Sequence, residues 1–387
     1  MRGLPDLLAS EAGRDFLAER GMFTDPAAFV GALRAPPSAA LNDLVGQSAD
    51  ARSVHIGQQV CTDYLPSTLT KFTAAADLRE RGGAAPVVLW HDADRADSER
   101  FGMRFVLPKG DQTFGIPLAP RAISAHEPRF IPVQPDAVAE AAVRLRDWQS
   151  GRIKDRPKPE RAEAVERLDA LVSVLQAGEP GEHLNQLNAR VAGFLLSDAL
   201  GGPIPTAHLS TMLDLGLLTA SVERYVAVVT DVVKVFNEAV AGLVDADIDP
   251  RVRPLGEDYL PLNYSCPTSG ARLHLQRETR AGRTIAVGHC KCGDVHAFDL
   301  GDSRSVSLDP LVESGRWSPD VSLPVHHLHL ASGWVVGAST ALYGTVLNAV
   351  AERALGLEPI PGLVPTELAA GDDQQSAPSL LVRYLTR

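Results

Sequence analysis

The sequence predicts an α/β fold built on a parallel β-sheet, and three consecutive patterns carry that prediction. Residues 53–56 form a strand-like run that Gly57 ends, and residues 63–81 then show the apolar spacing of a helix. A continuous apolar run, 86–90, follows and is typical of a strand buried on both faces. Strand, glycine turn, helix and strand make one βαβ unit, so we expect a Rossmann-like core.

The rest of the chain predicts additions to this core. Long stretches of helical periodicity follow it, then a segment with the alternation of a small β module, and finally a return to strand and helix patterns. The predicted units are an N-terminal helical lead-in (1–50), the first part of the core (51–134), a helical insertion (135–254), a small β module (255–302) and the C-terminal part of the core (303–387).

The composition excludes several classes of protein. Because 45% of the residues are hydrophobic and 22% are charged, the chain can bury a core and is not expected to be disordered. A net charge of −11 argues against a nucleic-acid partner, since there is no basic excess to neutralise phosphates. No apolar run approaches the ~20 residues that cross a bilayer, and the N-terminus lacks the apolar stretch of a signal peptide. We therefore expect a cytoplasmic protein without a membrane partner.

Two polar segments follow the first two predicted strands and are expected to meet at one edge of the sheet. A histidine beside a glycine turn can bind a phosphate, and acids with a histidine can bind an amine or act as a general base. A structural turn and a helix cap with surface charges are the alternative for these segments. The candidates are His55, Gly57, Gln58 and Gln59 in the first segment, and His91, Asp92, Asp94 and Arg95 in the second.

The stretch 54–95 resembles the opening of the class I aminoacyl-tRNA synthetases, whose His-Ile-Gly-His signature lies at the same turn and handles ATP phosphates. It is more closely similar to the bacillithiol-biosynthesis cysteine-adding enzyme family, which shares the synthetase-like core. The similarity lies in the Gly-Gln-Gln turn at 57–59, the helix that contains Lys71 and the strand end at 90–94. Residues 333–343 are also similar to the Gly-rich turn and helix of that family.

The resemblance implies a biosynthetic enzyme that forms a C–N or C–S bond at an amine- or thiol-bearing substrate, here a divergent relative in specialised metabolism. One such reaction is intramolecular displacement of a phosphate or sulfate by an amine, which closes an aziridine or another N-heterocycle. His55 would hold the anion, Asp92 or Asp94 would orient or deprotonate the amine, and Lys71 or Arg95 would pair with a carboxylate. Further implied substrate-binding residues are Ser332, Trp334, Ser339 and Tyr343.

Two departures from the synthetase pattern argue against ATP as a cofactor. Gln58 stands in place of the second histidine, and no Lys-Met-Ser-Lys-Ser-like loop is present. Two alternatives stay open: a cysteine-adding ligase of a bacillithiol-like thiol pathway, and a non-catalytic synthetase-like partner subunit. The expected partners are a small molecule with amine and anionic groups and, at the protein level, a second copy or a heteromeric subunit.

Three of the four cysteines lie between residues 266 and 292. A Cys-Pro-x-x-Gly segment and a His-x-x-Cys-Gly segment flank a predicted hairpin, which resembles the two knuckles of a zinc ribbon. Thiolates and imidazoles suit tetrahedral zinc, so we expect a structural zinc site in a zinc-ribbon-like module, with a metal-free relic as the alternative. Ser269 stands where a ribbon has its second cysteine. The predicted ligands are Cys266, His289, Cys290 and Cys292.

Two minor features complete the candidates. His327 and His329 share one face of a predicted strand at 323–330, whereas His326 lies on the other face, and hydrogen-bonded structural histidines are the favoured interpretation. Cys61 follows the glycine turn, where a helix N-terminus could activate a thiol, but a small packing residue is the favoured interpretation.

Overall fold

The computed structural model describes residues 1–36, 39–95, 102–120, 125–303, 305–320, 331–369 and 377–387. The predicted strand 323–330, with its three histidines, lies outside these residues. No helix in the described ranges combines the length and the apolar character that crossing a membrane requires. The helices are α1 (Leu4–Leu8), α2 (Glu11–Ala18), α3 (Pro26–Ala32), α4 (Ala39–Leu44), α5 (Pro66–Arg81), α6 (Pro135–Ile153), α7 (Lys158–Gln176), α8 (Leu184–Ala199), α9 (Leu209–Asp214), α10 (Thr219–Ala227), α11 (Val229–Asp245), α12 (Asp309–Ser314), α13 (Ala338–Arg353) and α14 (Leu380–Thr386). The strands are β1 (Met22–Phe23), β2 (Ser53–Gln59), β3 (Ala85–His91), β4 (Arg104–Lys109), β5 (Gln112–Pro117), β6 (Thr206–His208), β7 (Tyr259–Ser265), β8 (Arg272–Arg280), β9 (Arg283–His289), β10 (Val295–Asp302), β11 (Ser305–Val306), β12 (Trp317–Pro319), β13 (Gly333–Val335) and β14 (Gly362–Leu363).

The first sheet is parallel throughout, with the strand order β1-β14-β13-β2-β3-β6 in the described residues. This arrangement confirms the predicted α/β class with a Rossmann-like parallel core. Helix α5 follows β2, and its Phe72 shares a buried cluster with Ile56 on one face of the sheet. Helix α13 follows β13, and its Leu342 shares a buried cluster with Leu89 on the other face. The chain therefore winds in opposite directions from the neighbouring strands β2 and β13, and ligands of such sheets bind at this switch point.

Strand β2 is longer than the sequence pattern predicts. It runs from Ser53 to Gln59, so the prediction that Gly57 ends it is wrong. Gly57 pairs with Leu89 in the parallel ladder, and the register continues to Gln59 opposite His91. The helix begins only at Pro66, because proline fixes the backbone angle that a first helical residue needs.

The predicted helical insertion also contributes to the core. Its residues 206–208 form β6, which pairs in parallel with β3 at the edge of the sheet. The predicted helical insertion over 135–254, expected to be mostly helical, therefore also contains a strand of the core sheet. Three extended residues between helices are too few to show the alternation that predicts a strand.

The predicted small β module is part of a larger antiparallel sheet with the strand order β11-β10-β9-β8-β7-β12. The predicted hairpin is present between β8 and β9, and its turn residues Ala281 and Gly282 both have positive φ angles. The sheet extends to Pro319 and so passes the predicted boundary at 302. Its buried residue Leu262 belongs to the same apolar cluster as Trp334 of the parallel sheet, so one core serves both sheets.

Candidate active site

The two polar segments predicted from the sequence meet at the carboxyl edge of the parallel sheet. Gln59 at the end of β2 lies opposite His91 at the end of β3. The Gln59 side chain donates a hydrogen bond to Asp94, with Nε2 and Oδ2 3.0 Å apart. The end of β6 lies beside them, because Trp90 pairs with His208. Three neighbouring strands therefore deliver polar side chains to one edge.

Asp92 is fully buried and is saturated with hydrogen bonds. Its carboxylate accepts from Asn185 Nδ2 at 2.8 Å, from the Ser210 amide at 2.8 Å and from the Ser210 hydroxyl at 2.6 Å. His208 Nδ1 lies 2.9 Å from Asp92 Oδ2. Burial alone would raise the pKa of Asp92, but the hydrogen bonds from His208 and Ser210 hold this pKa below its ordinary value. Asp92 is thus a buried, charged side chain that contacts the His208 imidazole.

His208 is the residue that Asp92 positions. It ends β6 and precedes α9, and 25% of its side chain is exposed. Because Nδ1 faces the Asp92 carboxylate, Nε2 is the nitrogen available to a ligand or a proton. A buried carboxylate that fixes one imidazole nitrogen while the other faces a substrate is the arrangement of a general base. The sequence analysis missed His208, because its only signal was a histidine at the end of a three-residue strand.

His208 lies between two cavities. One has a volume of about 360 Å³ and is called the His208 cleft below. The second has a volume of about 450 Å³, and its lining is largely apolar, with Trp90 and Ile204 among its residues. A substrate with a polar end and an apolar part could therefore extend past the imidazole. The His208 cleft is defined by Arg129, His183, Asn185, His208, Ser210 and Asp214.

A larger cavity, about 700 Å³, lies elsewhere, between α5 and the segment that follows β14. None of the candidate catalytic residues lines it. Ionisable groups converge instead at the smaller His208 cleft.

Asp94 belongs to an ion network that joins the two sheets. Arg272 of β8 binds Asp94 at 3.0 Å and Glu127 at 3.4 Å, and Arg129 binds Glu127 at 2.6 Å. Burial raises the pKa of Glu127 in spite of the two arginines. The network ends at Arg129, which lines the His208 cleft. Asp94 is therefore occupied by Gln59 and Arg272, and the guanidinium of Arg129 is the charge that the network brings to the cleft.

His55 lies in the middle of β2 and not at a turn, because the strand continues past it. Its side chain is fully buried, and neither ring nitrogen has a hydrogen-bond partner among the described residues. Burial, together with repulsion from His91, lowers the pKa of His55 to about 3. Burial also lowers the pKa of His91 to about 4. Both imidazoles are therefore neutral near pH 7, and the predicted placement of His55 at a phosphate-binding turn is wrong.

Lys71 of α5 is a buried cation at the switch point of the sheet. Its ammonium donates to the Gly57 carbonyl at 3.0 Å and to Gln58 Oε1 at 2.6 Å, and both acceptors are neutral. Burial lowers the pKa of Lys71 to about 8. A Cβ atom at Gly337, the residue before α13, would lie 3.5 Å from Lys71 Cδ. An ammonium beside a helix N-terminus suits an anionic group of a ligand.

Of the remaining predicted substrate-binding residues, some lie near the switch point of the sheet and the others lie away from it. Ser339 is exposed in the first turn of α13, and the half-buried Tyr343 follows one turn later, so both lie near the switch point. Ser332 lies at the opposite edge, because its amide donates to the Ser53 carbonyl at the start of β2. Trp334 is buried between the sheet and α13. Arg95 is exposed beside Asp94.

The three clustered cysteines form a group that can hold a metal ion. The sulfur atoms of Cys266, Cys290 and Cys292 all lie within 4.8 Å of one another. His289 does not belong to this group and has an exposed side chain at the end of β9. Of the four predicted ligands, the three thiols therefore lie together, whereas the His289 imidazole lies apart from them.

Cys61 is buried, and its amide donates to the Tyr64 hydroxyl, which agrees with a packing role.

Comparison of the sequence with protein-family models and with curated proteins gives no match. The functional assignment accordingly rests on the geometry of the edge formed by β2, β3 and β6.

Proposed function

We propose that the protein is a small-molecule biosynthetic enzyme of specialised metabolism, which forms a C–N or C–S bond at an amine- or thiol-bearing substrate. His208 is the general base, and Asp92 is its positioning residue. The observation that carries the proposal is the hydrogen bond between Asp92 and His208, at the carboxyl edge of a parallel sheet and beside a cleft. Active sites of open α/β sheets lie at this edge.

The reaction requires a deprotonated nucleophile, which is the free amine or the thiolate of the substrate. An ammonium or thiol group bound in the His208 cleft transfers a proton to Nε2 of His208, and the Asp92 carboxylate stabilises the imidazolium that forms. The freed electron pair then attacks carbon, and the C–N or C–S bond forms as the bond from carbon to the leaving oxygen breaks. The electron pair of that bond leaves with a phosphate or sulfate, and His208 returns its proton to solvent.

Cationic groups on the same edge support an anionic leaving group. Arg129 lines the His208 cleft, as do the first residues of the 16-residue helix α8, whose N-terminal amides favour negative charge. Lys71 and the start of α13 provide a second anion-binding position, suited to a carboxylate of the substrate. Displacement at carbon depends mainly on alignment and on leaving-group stabilisation, which these positions supply.

A divergent relationship to the class I synthetase-like, cysteine-adding family is part of this proposal. The parallel sheet with α5 between β2 and β3 supports it. Gln58, however, is bound to Lys71 within the ladder and is not free at a turn. The reaction proposed here draws on a leaving group that the substrate already contains. The proposed nucleophile is an amine or thiol of the substrate itself.

We also propose that the three clustered cysteines hold a structural zinc ion. Their mutual proximity supports this role, since three thiolates suit tetrahedral zinc. None of these cysteines lines the His208 cleft, so the ion would stabilise the antiparallel sheet and take no part in the reaction.

Turnover of activated amines tests the function. The purified chain is incubated with aminoalkyl sulfates, aminoalkyl phosphates and the corresponding mercaptoalkyl sulfates and phosphates, and release of inorganic sulfate or phosphate is measured. We expect turnover by the wild type and a roughly 10²–10⁴-fold loss in His208→Gln, the usual contribution of a general base. His289→Gln, the same change at an exposed histidine, should keep the wild-type rate.

Two outcomes would contradict the assignment. Full turnover by His208→Gln would exclude a general base at this position. Turnover that appears only after a second protein is added would instead favour the partner-subunit alternative.

A further inference from the structure

We propose that His296 is the fourth ligand of a tetrahedral metal site with Cys266, Cys290 and Cys292. This inference rests on the structural zinc proposed above and replaces His289 as the predicted imidazole ligand. The site would be of the Cys₃His class, which is common among structural zinc sites.

The sulfur geometry is already close to that of a bound metal. Cys266 Sγ and Cys292 Sγ are 3.8 Å apart. A zinc–sulfur bond is about 2.3 Å long, and a regular tetrahedron with such bonds has sulfur–sulfur edges of about 3.8 Å. Cys290 completes the group within 4.8 Å, so three ligands can close on one ion with small side-chain movements.

His296 supplies an imidazole on the strand that faces these thiols. It lies in β10, and one of its ring nitrogens is within 4.8 Å of Cys266 Sγ and of an Asp294 carboxylate oxygen, a second group that shares Cys266 with the three thiols. Its side chain has a hydrogen bond with Cys266, and its Nε2 atom is buried without a hydrogen-bond partner among the described residues. The Tyr264 ring packs against the imidazole, with ring centroids 4.9 Å apart, and limits its rotation. A buried nitrogen without a partner is costly, and a metal bond removes that cost.

The other side chains near the thiols fit the fourth position less well. His289 is exposed and outside the cluster. Ser269 occupies the position of a ribbon's second cysteine and has its hydroxyl 3.1 Å from Cys290 Sγ, but a neutral hydroxyl is not a usual structural zinc ligand. Asp294 Oδ2 is 3.9 Å from Cys266 Sγ, and its carboxylate already has side-chain hydrogen bonds with Thr268, Cys292 and Cys266, so it is the competing ligand that the variants below separate from His296.

Metal content and cobalt spectra of the full-length protein test the ligand set. We expect one zinc ion per chain after purification under reducing conditions. Cobalt(II) in the same site should give the absorption of a tetrahedral ion with three thiolates. His296→Ala should weaken metal binding by at least about 100-fold, which exceeds the roughly 10–100-fold effect of losing an outer-shell partner. The matched control His289→Ala should bind metal like the wild type.

A second variant keeps the test decisive if His296→Ala does not fold. His296→Cys should retain one cobalt ion per chain and show a stronger thiolate-to-cobalt absorption, because a fourth sulfur joins the ion. An unchanged spectrum in His296→Cys, or wild-type affinity in folded His296→Ala, would overturn the assignment of His296. A wild-type protein that binds neither ion would overturn the structural zinc itself, and loss of metal in Asp294→Ala alone would assign the fourth position to that carboxylate.

Discussion

At the scale of single residues, Asp92 and His208 depend on each other through one hydrogen bond. Asp92 is inaccessible and ionised, so it cannot take a proton from a substrate. His208 is accessible, but an imidazole without a fixed partner can present either nitrogen to the cleft. The pair therefore combines a buried charge, which sets orientation, with an exposed nitrogen, which can move a proton.

Lys71 provides a residue-scale prediction with a defined pH dependence. We expect Lys71→Met to weaken the binding of inorganic sulfate by roughly 10–100-fold, because a hydrogen bond to a charged group is worth about 1.5–3 kcal/mol. In the wild type, sulfate affinity should fall as the pH rises through about 8, where the ammonium loses its proton. Calorimetric titration between pH 7 and 9 measures both effects.

The control for this titration is Lys154→Met, which removes an exposed lysine and should leave sulfate affinity unchanged. Equal affinity in wild type and Lys71→Met at pH 7 would show that the switch point does not bind anions.

The sequence analysis found the two aspartates of the site, Asp92 and Asp94, but missed the histidine His208. Asp92 and Asp94 follow a long apolar strand, which is an unambiguous signal, and both lie at the expected edge. His208 is the last residue of a three-residue strand, whose pairing with β3 depends on contacts distant in sequence. The prediction placed Ser332 at the carboxyl edge of the sheet, but it lies at the opposite edge. The sequence of a short strand such as β13 does not show which of its two ends lies at the carboxyl edge.

At the scale of elements, Asp63 fastens the last helix to the core. Its Oδ1 atom accepts hydrogen bonds from the amides of Tyr64 and Leu381, each at 2.8 Å. The second of these amides belongs to the start of α14, so one carboxyl group joins the loop before α5 to the C-terminal helix. Burial raises the pKa of Asp63 to about 7.

This shift predicts that Asp63 makes the free energy of unfolding fall as the pH rises from about 4 to about 7. In that range the unfolded chain has lost the proton, whereas the folded state retains it, so a higher pH favours unfolding. Asp63→Asn should remove this dependence and raise the free energy of unfolding at pH 8 by on the order of 2–4 kcal/mol, since one pKa unit corresponds to about 1.4 kcal/mol.

Urea unfolding at pH 5 and pH 8 checks the prediction. The matched control is Asp77→Asn, which changes an exposed aspartate of α5 and should behave like the wild type at both pH values. If Asp63→Asn destabilised the protein equally at both pH values, the proposed titration of Asp63 would be wrong.

At the scale of the whole molecule, the ion network of Asp94, Arg272 and Glu127 connects the parallel sheet to the antiparallel sheet. The Glu127 side chain is fully buried, and only 13% of the Arg272 side chain is exposed. A buried ion pair adds little net stability compared with apolar packing, but breaking it leaves an uncompensated charge. The network therefore fixes how the two sheets sit against each other at the cleft.

Removing the shared arginine should be costly. We expect Arg272→Met to lower the free energy of unfolding by roughly 3–5 kcal/mol, because two carboxylates lose their common partner. Arg283→Met is the matched control in the same sheet, since it breaks an exposed ion pair with Asp299 and should cause no measurable change. Chemical denaturation measures both variants, and equal stabilities would contradict a structural role for the network.

The overall architecture was predictable only in part. Long apolar runs and the helix between them predicted the parallel sheet, because their periodicity is local. The two-residue strand β11 and the three-residue strand β12 carry no such pattern, and they extend the antiparallel sheet past the predicted boundary. The three thiols were predictable from their spacing, whereas His296 lies on the strand after them, opposite Gly288 of β9, and its proximity to Cys266 depends on the fold of the whole sheet.

Nitrogen-15 NMR of the histidines tests the Asp92–His208 pair most directly, because it requires no substrate. We predict that His208 carries its proton on Nδ1 in a strongly deshielded hydrogen bond, and that Asp92→Asn removes this signal while the other histidine signals stay in place. A proton fixed on Nε2 of His208, or a His208 signal that Asp92→Asn leaves unchanged, would contradict a base that Asp92 orients toward the cleft.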